Sequence, residues 1–303
     1  RERGMPSYTQ DGRFMRVKTP LGKDVLLLDT FEGKEHLSHL FHFKLGMFAE
    51  DPTKVKFDQL LGQKITVTLI GEPERHFNGI VCRMSQGQRV KAKESEAMLV
   101  RYEAEIVPQF WLLTKKIQSK IFQQKSVPDI LKEVFKDLDT KFEIQGTYEP
   151  RDYCSQYHES DFAFASRLME EEGIYYFYKH TEDGHKMVIA DTPQSHADMP
   201  GPPEIKYQER HGGTREDERI DLWIKSQEIR AAKQTLWDHT FEMPDDNLEV
   251  SEPTTESITV GTITHKAKVT ANAETEIYSF PGRYAQRFDG IDPGGGEQAS
   301  NLQ

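Results

Sequence analysis

Three side chains that could do acid–base chemistry, His158, Glu159 and Asp161, lie next to one another in the segment YHESD. An imidazole beside carboxylates suits a general acid/base pair or a metal site, because one group holds a proton or cation that the other stabilises. The same segment lies where a strand pattern changes to a helix pattern beginning at Ser160. Ser160 or Asp161 can cap that helix, and acidic residues favour its positive end. We therefore predict that the three residues stabilise a helix start, with a hydrolytic or metal site as the alternative.

Three consecutive glutamates, 170–172, follow at the other end of the same predicted helix, and Gly173 comes next. Negative charge is unfavourable there, because the carbonyl end of a helix carries the negative pole of its dipole. Arg167 precedes the glutamates by three to five residues and compensates them in part. We expect the remaining carboxylates to find basic partners elsewhere, and Gly173 to end the helix in a left-handed conformation.

Histidines 36, 39 and 42 have a spacing that would gather zinc ligands only on a helix. The residues that follow alternate as a strand, which puts 36 and 42 on one face and 39 on the other. The chain contains no HExxH, GxSxG, P-loop or GxGxxG motif, and neither Cys82 nor Cys154 has an obvious base nearby in the sequence. We predict no catalytic, cofactor-binding or metal site, and expect no enzyme activity.

Composition excludes some classes of partner and compartment. The 303 residues carry a formal net charge of -11, which argues against nucleic acid as the main partner. Two cysteines without CxxC spacing favour a reducing compartment, although a single bridge between Cys82 and Cys154 stays open. No apolar window reaches the length of a membrane span, and the first residues lack the apolar core of a signal peptide. The non-methionine start and the Gly-rich end lead us to expect a part of a longer protein.

The chain from Val25 to Ile106 has the pattern of β-strands. Apolar residues alternate at 41, 43, 45 and 47, again at 65, 67 and 69, and again in MLVRYEAEIV. GEPER at 71–75 separates two of these runs and suits a hairpin connection. One apolar and one polar face on several strands predict a β-barrel or sandwich.

The middle of the chain changes to a mixed pattern. Ser126 and Asp129 form a capping-box-like pair ahead of apolar residues at helical spacing, which predicts a helix of about three turns. The second helix begins at Ser160, and IYYFYKHTEDGHKMVIAD after it reads as a hairpin. This pattern predicts an α+β unit between β-rich segments.

A boundary is predicted at DMPGPPE, 198–204, because its proline and glycine residues cannot continue a strand ladder. Beyond it, 218–230, 234–243, 257–270 and 276–280 are strand-like. Within 234–243, residues Trp237, His239 and Phe241 alternate with polar neighbours and predict one shared face. The order β-rich, α+β, β-rich allows two related barrels that flank an insertion.

Five strings together resemble the VgrG spike proteins of bacterial type VI secretion. In chain order they are TPLGKDVLLLDTFEGKEHLSHLFHFKL, FNGIVCRMSQ, FWLLTKKIQSKIFQQKSVPDILKEVF, RDYCSQYHESDFAFASRLMEEEGIYYFY and FPGRYAQRFDG. The resemblance runs in order along nearly the entire chain.

The resemblance implies a mainly β fold with an α+β insertion, in which two tube-forming β-barrels are of the phage baseplate hub type. The implied domains are a first barrel at 1–107, completed by about 204–230, an inserted α+β domain at 108–203, and a second, incomplete barrel at 231–303. Family members continue into an OB-fold and a β-helix needle, which are absent before Gln303.

For function, the resemblance implies a structural hub that forms a homotrimer and docks on the hexameric Hcp tube. The implied partners are effector or adaptor proteins and baseplate components, with no nucleic acid and no cofactor. The implied route is synthesis in the bacterial cytoplasm and export by the type VI secretion machinery. The alternatives are the baseplate hub or tail protein of a contractile phage or prophage, and a hydrolase that uses His158, Glu159 and Asp161.

Overall fold

A computed structural model of the chain describes residues 8–53, 55–92, 96–196, 204–208, 220, 222–240, 244–260, 263–267 and 274–282. The chain divides into two compact units, Arg1–Gly201 and Pro202–Gln303. Mainly β structure with an α+β portion, the predicted fold class, is confirmed.

The first unit contains a six-stranded antiparallel sheet that curls into a nearly closed barrel. Its strands are β1 (Met15–Lys18), β2 (Leu27–Lys34), β3 (His42–Glu50), β4 (Lys64–Leu69), β5 (Arg75–Lys91) and β6 (Met98–Val107). They lie in the order β1-β4-β5-β6-β3-β2, so β1 and β2 are the two edges, and these edges approach each other. All six strands come from residues 15–107; that 204–230 completes this barrel stays a prediction.

The buried side chain of Gln10 links the two edges of the sheet. Its Oε1 atom accepts hydrogen bonds from the backbone N–H of Val17 in β1 at 2.8 Å and of Leu28 in β2 at 3.2 Å. Its Nε2 atom donates to the Val17 carbonyl at 3.1 Å. One amide side chain therefore supplies the partners that a continuous strand ladder would otherwise supply.

The predicted alternation on β3 is confirmed, because Phe43, Leu45 and Met47 are buried, as is Phe41 just before the strand. On β4 the predicted alternation identifies only one of the two buried faces. Thr66 and Thr68, on the polar face, are buried too. The Thr66 hydroxyl donates to the Glu182 carbonyl of the α+β portion at 2.8 Å, and the Thr68 hydroxyl lies 3.1 Å from His76 Nδ1 in β5.

The α+β portion follows the barrel in the same unit. Its elements are β7 (Ile117–Phe122), α1 (Val127–Val134), β8 (Thr140–Glu143), β9 (Cys154–Ser160), α2 (Asp161–Glu171), β10 (Tyr175–His180) and β11 (His185–Ala190). One sheet has the order β10-β11-β8, with β8 parallel to β11, and β7 pairs with β9 as a two-stranded ribbon. Both predicted helices and the predicted hairpin are confirmed, although α1 is shorter than three turns. The buried core runs without interruption from the barrel into this portion.

The second unit is built from short strands. They are β12 (Lys233–Leu236), β13 (Val250–Pro253), β14 (Ser257–Val260), β15 (Ile263–Lys266) and β16 (Glu276–Ser279). A three-stranded sheet has the order β13-β12-β16, and β14 pairs with β15. Across the described ranges of both units, no helix is long and apolar enough to cross a membrane.

Two strand predictions in the second unit were wrong. Of the predicted strand 218–230, residues 222–230 belong to no strand in the described part of the chain, and residues 218, 219 and 221 lie outside it. Trp237 and His239 are exposed, whereas their polar neighbours Asp238 and Thr240 are buried. Polar residues occupy both faces here, so alternation alone could not select the buried face. The Trp237 ring instead lies against Phe280, with ring centroids 4.9 Å apart, and the predicted third member, Phe241, lies outside the described residues.

Candidate functional site

The three side chains that suggested acid–base chemistry, His158, Glu159 and Asp161, lie in different environments. Asp161 is buried in the first turn of α2, Glu159 pairs with Arg167, and the His158 side chain is exposed. His158 has a φ of 49° where β9 bulges opposite β7, and its ring lies edge-on to Tyr157 with centroids 4.8 Å apart. The three side chains make no hydrogen bond to one another, so they do not form an acid–base pair.

Asp161 is held as a buried, ionised carboxylate. Its Oδ1 atom accepts from the side-chain amides of Gln118 at 2.6 Å and Gln156 at 2.8 Å, and its Oδ2 atom lies 3.1 Å from Lys116 Nζ. Burial raises the pKa of Asp161, but these hydrogen bonds outweigh it, so that its pKa lies below the usual value. A carboxylate whose lone pairs are already used, and whose protonation is disfavoured, is a poor general acid or base.

The start of α2 has the predicted cap. The Ser160 hydroxyl accepts a hydrogen bond from the Ala163 N–H at 3.1 Å. Glu159, just before the helix, lies 2.6 Å from Arg167, and Arg167 also reaches Glu171 at 3.2 Å. The segment YHESD therefore organises a helix start, as predicted.

Arg151 is the additional basic partner that the consecutive glutamates required. Its guanidinium is buried and lies 2.7 Å from both Glu171 and Glu172. The helix then ends at Gly173, where φ is +67°. The Ile174 N–H donates to the Met169 carbonyl at 2.8 Å, as in a Schellman motif. The sequence predicted the need for this cation but could not identify Arg151, because only the fold brings it to the helix end.

The other candidates from the sequence do not assemble into a site. His42 lies 3.1 Å from Glu105, and the His36 and His39 rings contact each other 5.9 Å apart. No group of three metal-ligating side chains occurs in the part of the chain that the structure describes. Cys82 and Cys154 are free thiols, which answers the question of a bridge between them.

A buried polar clamp joins the barrel to the α+β portion and had no signal in the sequence. His185 Nε2 accepts the Gln109 N–H at 2.9 Å, which leaves Nδ1 to donate to Asn78 Oδ1 at 2.8 Å. Asn78 Nδ2 donates in turn to the Thr66 hydroxyl at 2.8 Å. Burial lowers the pKa of His185 to about 3, so the imidazole is neutral. The clamp is structural, because every polar atom in it already has a partner.

A small cleft lies between α1 and β7. Its volume is about 100 Å³, and Lys116, Lys120, Glu133, Lys136 and Asp161 are among its lining residues. Pockets for drug-sized ligands usually measure roughly 300–1,000 Å³. The cleft is too small for a substrate of that size.

The second unit has many large apolar side chains that are exposed to solvent. Leu222, Trp223, Ile224 and Ile229 lie in the segment 222–230 and are 65–74% exposed. Ile258, Ile263, Ile277 and Phe280 are more than half exposed on the strands or at their ends. Large exposed apolar patches mark interaction surfaces, because water leaves them when a partner binds. The arrangement suits assembly better than catalysis.

The chain is similar to phage tail proteins and to proteins of type VI secretion. Residues 34–303 match the family model described as phage tail baseplate hub (GPD). The type VI secretion system spike protein VgrG1c of Pseudomonas aeruginosa is 34% identical over 288 residues, which cover 93% of this chain and 37% of that protein. VgrG1a from the same organism is 35% identical over 283 residues, covering 92% of this chain and 41% of that protein. The chain spans about two fifths of the length of these relatives.

Among solved structures, the E. coli c3393 protein has a similar fold; it is described as a type VI secretion system component with structural similarity to the T4 bacteriophage tail proteins gp27 and gp5. The match has a TM-score of 0.53 and 22% sequence identity, and covers 60% of this chain and 51% of that one.

Proposed function

Because the chain belongs to the phage tail baseplate hub (GPD) family, we propose that it is the structural hub of a type VI secretion spike. Its similarity to VgrG spike proteins over nearly its whole length supports this role. In the proposal, three copies form a ring that docks on the hexameric Hcp tube and carries a needle, effectors or adaptors. Baseplate components contact the ring from outside.

The exposed apolar surface of the second unit is the observation that carries the proposal. A partner that buried Trp223 and Ile224 would stabilise the complex by roughly 1.5–3 kcal/mol for each of these large apolar side chains. A neighbouring copy would cover these side chains.

The ring geometry follows from symmetry. Three copies present six equivalent positions to a hexameric tube only if each copy contributes two similar barrels. We assign these to 1–107, completed by about 204–230, and to 231–303, with 108–203 as the insertion. We also propose synthesis in the bacterial cytoplasm and export through the type VI machinery.

The experiment measures the mass of the purified chain by light scattering over a range of concentrations, alone and with the Hcp protein of the same bacterium. We expect a monomer–trimer equilibrium that shifts to the trimer with concentration, and binding of the trimer to Hcp rings. Replacing Trp223 and Ile224 with serine should move the equilibrium toward monomer. His39→Ser, at an exposed site of the first unit, is the matched control. A stable dimer at every concentration would contradict the ring.

A second candidate is the baseplate hub of a contractile phage or prophage, which the family description itself favours. Neighbouring genes for a phage capsid, or for type VI sheath and tube proteins, would decide between the two.

The hydrolase alternative has less support, since Asp161 and Glu159 already form hydrogen bonds and an ion pair. A hydrolytic activity that disappears in a folded Asp161→Ala variant would revive it.

A further inference from the structure

The ribbon of β7 and β9 has one covered face and one open face. Phe122 and Cys154 point inward, and the Phe122 ring stacks on Phe164 of α2 with centroids 5.5 Å apart. The open face carries large apolar side chains that are 54–74% exposed: Ile117, Ile121, Tyr153 and Tyr157. We call these four residues the ribbon face.

The β7 edge of the ribbon is also open. In the described part of the chain, β7 pairs with β9 alone, and β9 continues directly into α2. Arg167 covers part of β9 by donating to the Ser155 carbonyl at 3.3 Å. The N–H and C=O groups along the other side of β7 are therefore available to a further strand.

The surroundings of β7 are basic, although the chain as a whole has a charge of -11. The stretch KKIQSKIFQQK, 115–125, contains four lysines and no acidic residue. Three of these lysines form ion pairs: Lys120 and Lys125 with Glu133, and Lys116 with Asp161. Lys115 lies 4.5 Å from the centroid of the Trp111 ring instead. Among the described residues, the four lysines beside the open edge outnumber the two carboxylates that form these ion pairs.

We propose that the ribbon face and the β7 edge bind an extended segment of another protein, in which apolar residues alternate with aspartate or glutamate. The segment adds to β7 as a third strand. Its backbone satisfies the open edge, its apolar side chains cover Ile117 and Ile121, and its carboxylates face the lysines. The six residues of β7 set the length of the paired segment.

Two other occupants fit the same features less well. A second copy bound through a twofold axis would place the ribbon face against itself, so the two lysine-rich stretches would repel each other. An anionic membrane would satisfy the charge and the apolar side chains but not the backbone edge, because hydrocarbon offers no hydrogen bonds. This surface lies in the first unit and does not depend on the tube docking proposed above.

The test uses two pools of fluorescent nine-residue peptides. In one pool, valine, isoleucine or tyrosine alternates with aspartate or glutamate; in the other, the same apolar residues alternate with lysine. Anisotropy should show that the acidic pool binds the chain, more weakly as salt increases, and that the basic pool does not. Replacing both Ile117 and Ile121 with serine should weaken binding at least tenfold. The matched control replaces Leu37 and Leu61, two exposed leucines of the first unit outside the ribbon, with serine and should leave binding unchanged.

Peptides N-methylated on every residue separate strand addition from simple attraction, because their backbone cannot donate to a strand edge. Equal binding of methylated and unmethylated peptides would overturn the proposal. It would also be overturned if neither pool bound, or if anionic phosphatidylglycerol vesicles bound in place of the peptides. Self-association abolished by the Ile117/Ile121 serine variant would equally contradict it. Circular dichroism of both variants confirms that they are folded.

Discussion

Arg151 is a charged residue that the fold buries at the end of α2, where it meets Glu171 and Glu172. Arg151→Met would leave two poorly hydrated carboxylates beside the negative pole of the helix. We expect the free energy of unfolding to fall by about 3–5 kcal/mol, measured by urea denaturation. The comparison is Arg89→Met, since Arg89 is 66% exposed in its pair with Asp51 and should cost less than about 1 kcal/mol. Equal losses in the two variants would mean that burial is irrelevant here.

His185 makes stability depend on pH above the range in which carboxylates titrate. Its pKa is about 3 in the folded protein because burial disfavours the imidazolium, against about 6.5 when unfolded. The unfolded chain therefore takes up a proton that the folded chain refuses, and stability falls as pH decreases below 6.5, by at most about 1.4 kcal/mol per pH unit. His185→Gln should reduce this slope between about pH 6.5 and 5. Denaturation curves at several pH values measure it; His39→Gln, at an exposed site, is the control.

At this scale, the sequence predicts residues that act on their neighbours and misses those that act across the fold. Ser126, Ser160 and Gly173 could be identified because a cap bonds within a few residues. Arg151 and Gln10 could not, since their partners are brought to them by tertiary structure. Asp161 was correctly interpreted as a helix-start residue, but its three donors, one of which is Lys116, have no local signature.

At the scale of the element, the end of α2 depends on Gly173, whose φ of +67° glycine adopts at less cost than residues with a Cβ atom. A Cβ atom there would meet no atom within 4 Å, so the cost of a substitution comes from the backbone. We expect Gly173→Val to lower stability by about 1–3 kcal/mol in a thermal melt, and Gly173→Asn to cost less. Gly87→Val, at a strand glycine without a positive φ, is the control. An unchanged melting temperature for Gly173→Val would place the helix end elsewhere.

The elements that the sequence predicts best are those with one apolar face. β3 alternates cleanly because the barrel interior covers one side, and α1 and α2 are marked by caps as well as spacing. The segment 222–230 was also predicted to be a strand, but the described structure has no strand there. Its apolar residues 222–224 are consecutive, so they do not mark one face of a strand.

At the scale of the whole molecule, the barrel and the α+β portion share one core, and the clamp of Asn78 and His185 joins them. We expect the first unit to open as one cooperative body. Hydrogen exchange should give β5, β6 and β11 the same free energy of opening. Protection of β11 lower by about 2 kcal/mol or more would show that the α+β portion opens separately.

The strand order β1-β4-β5-β6-β3-β2 has a consequence for synthesis on the ribosome. All six strands are complete once residue 107 has emerged, before either helix exists. At about 5–20 residues per second, the next 80 or so residues follow over roughly 4–16 seconds. During that interval Phe41, which Tyr178 and His185 later cover, remains in water. The nascent barrel therefore presents an aromatic surface that a chaperone can hold until β10 and β11 arrive.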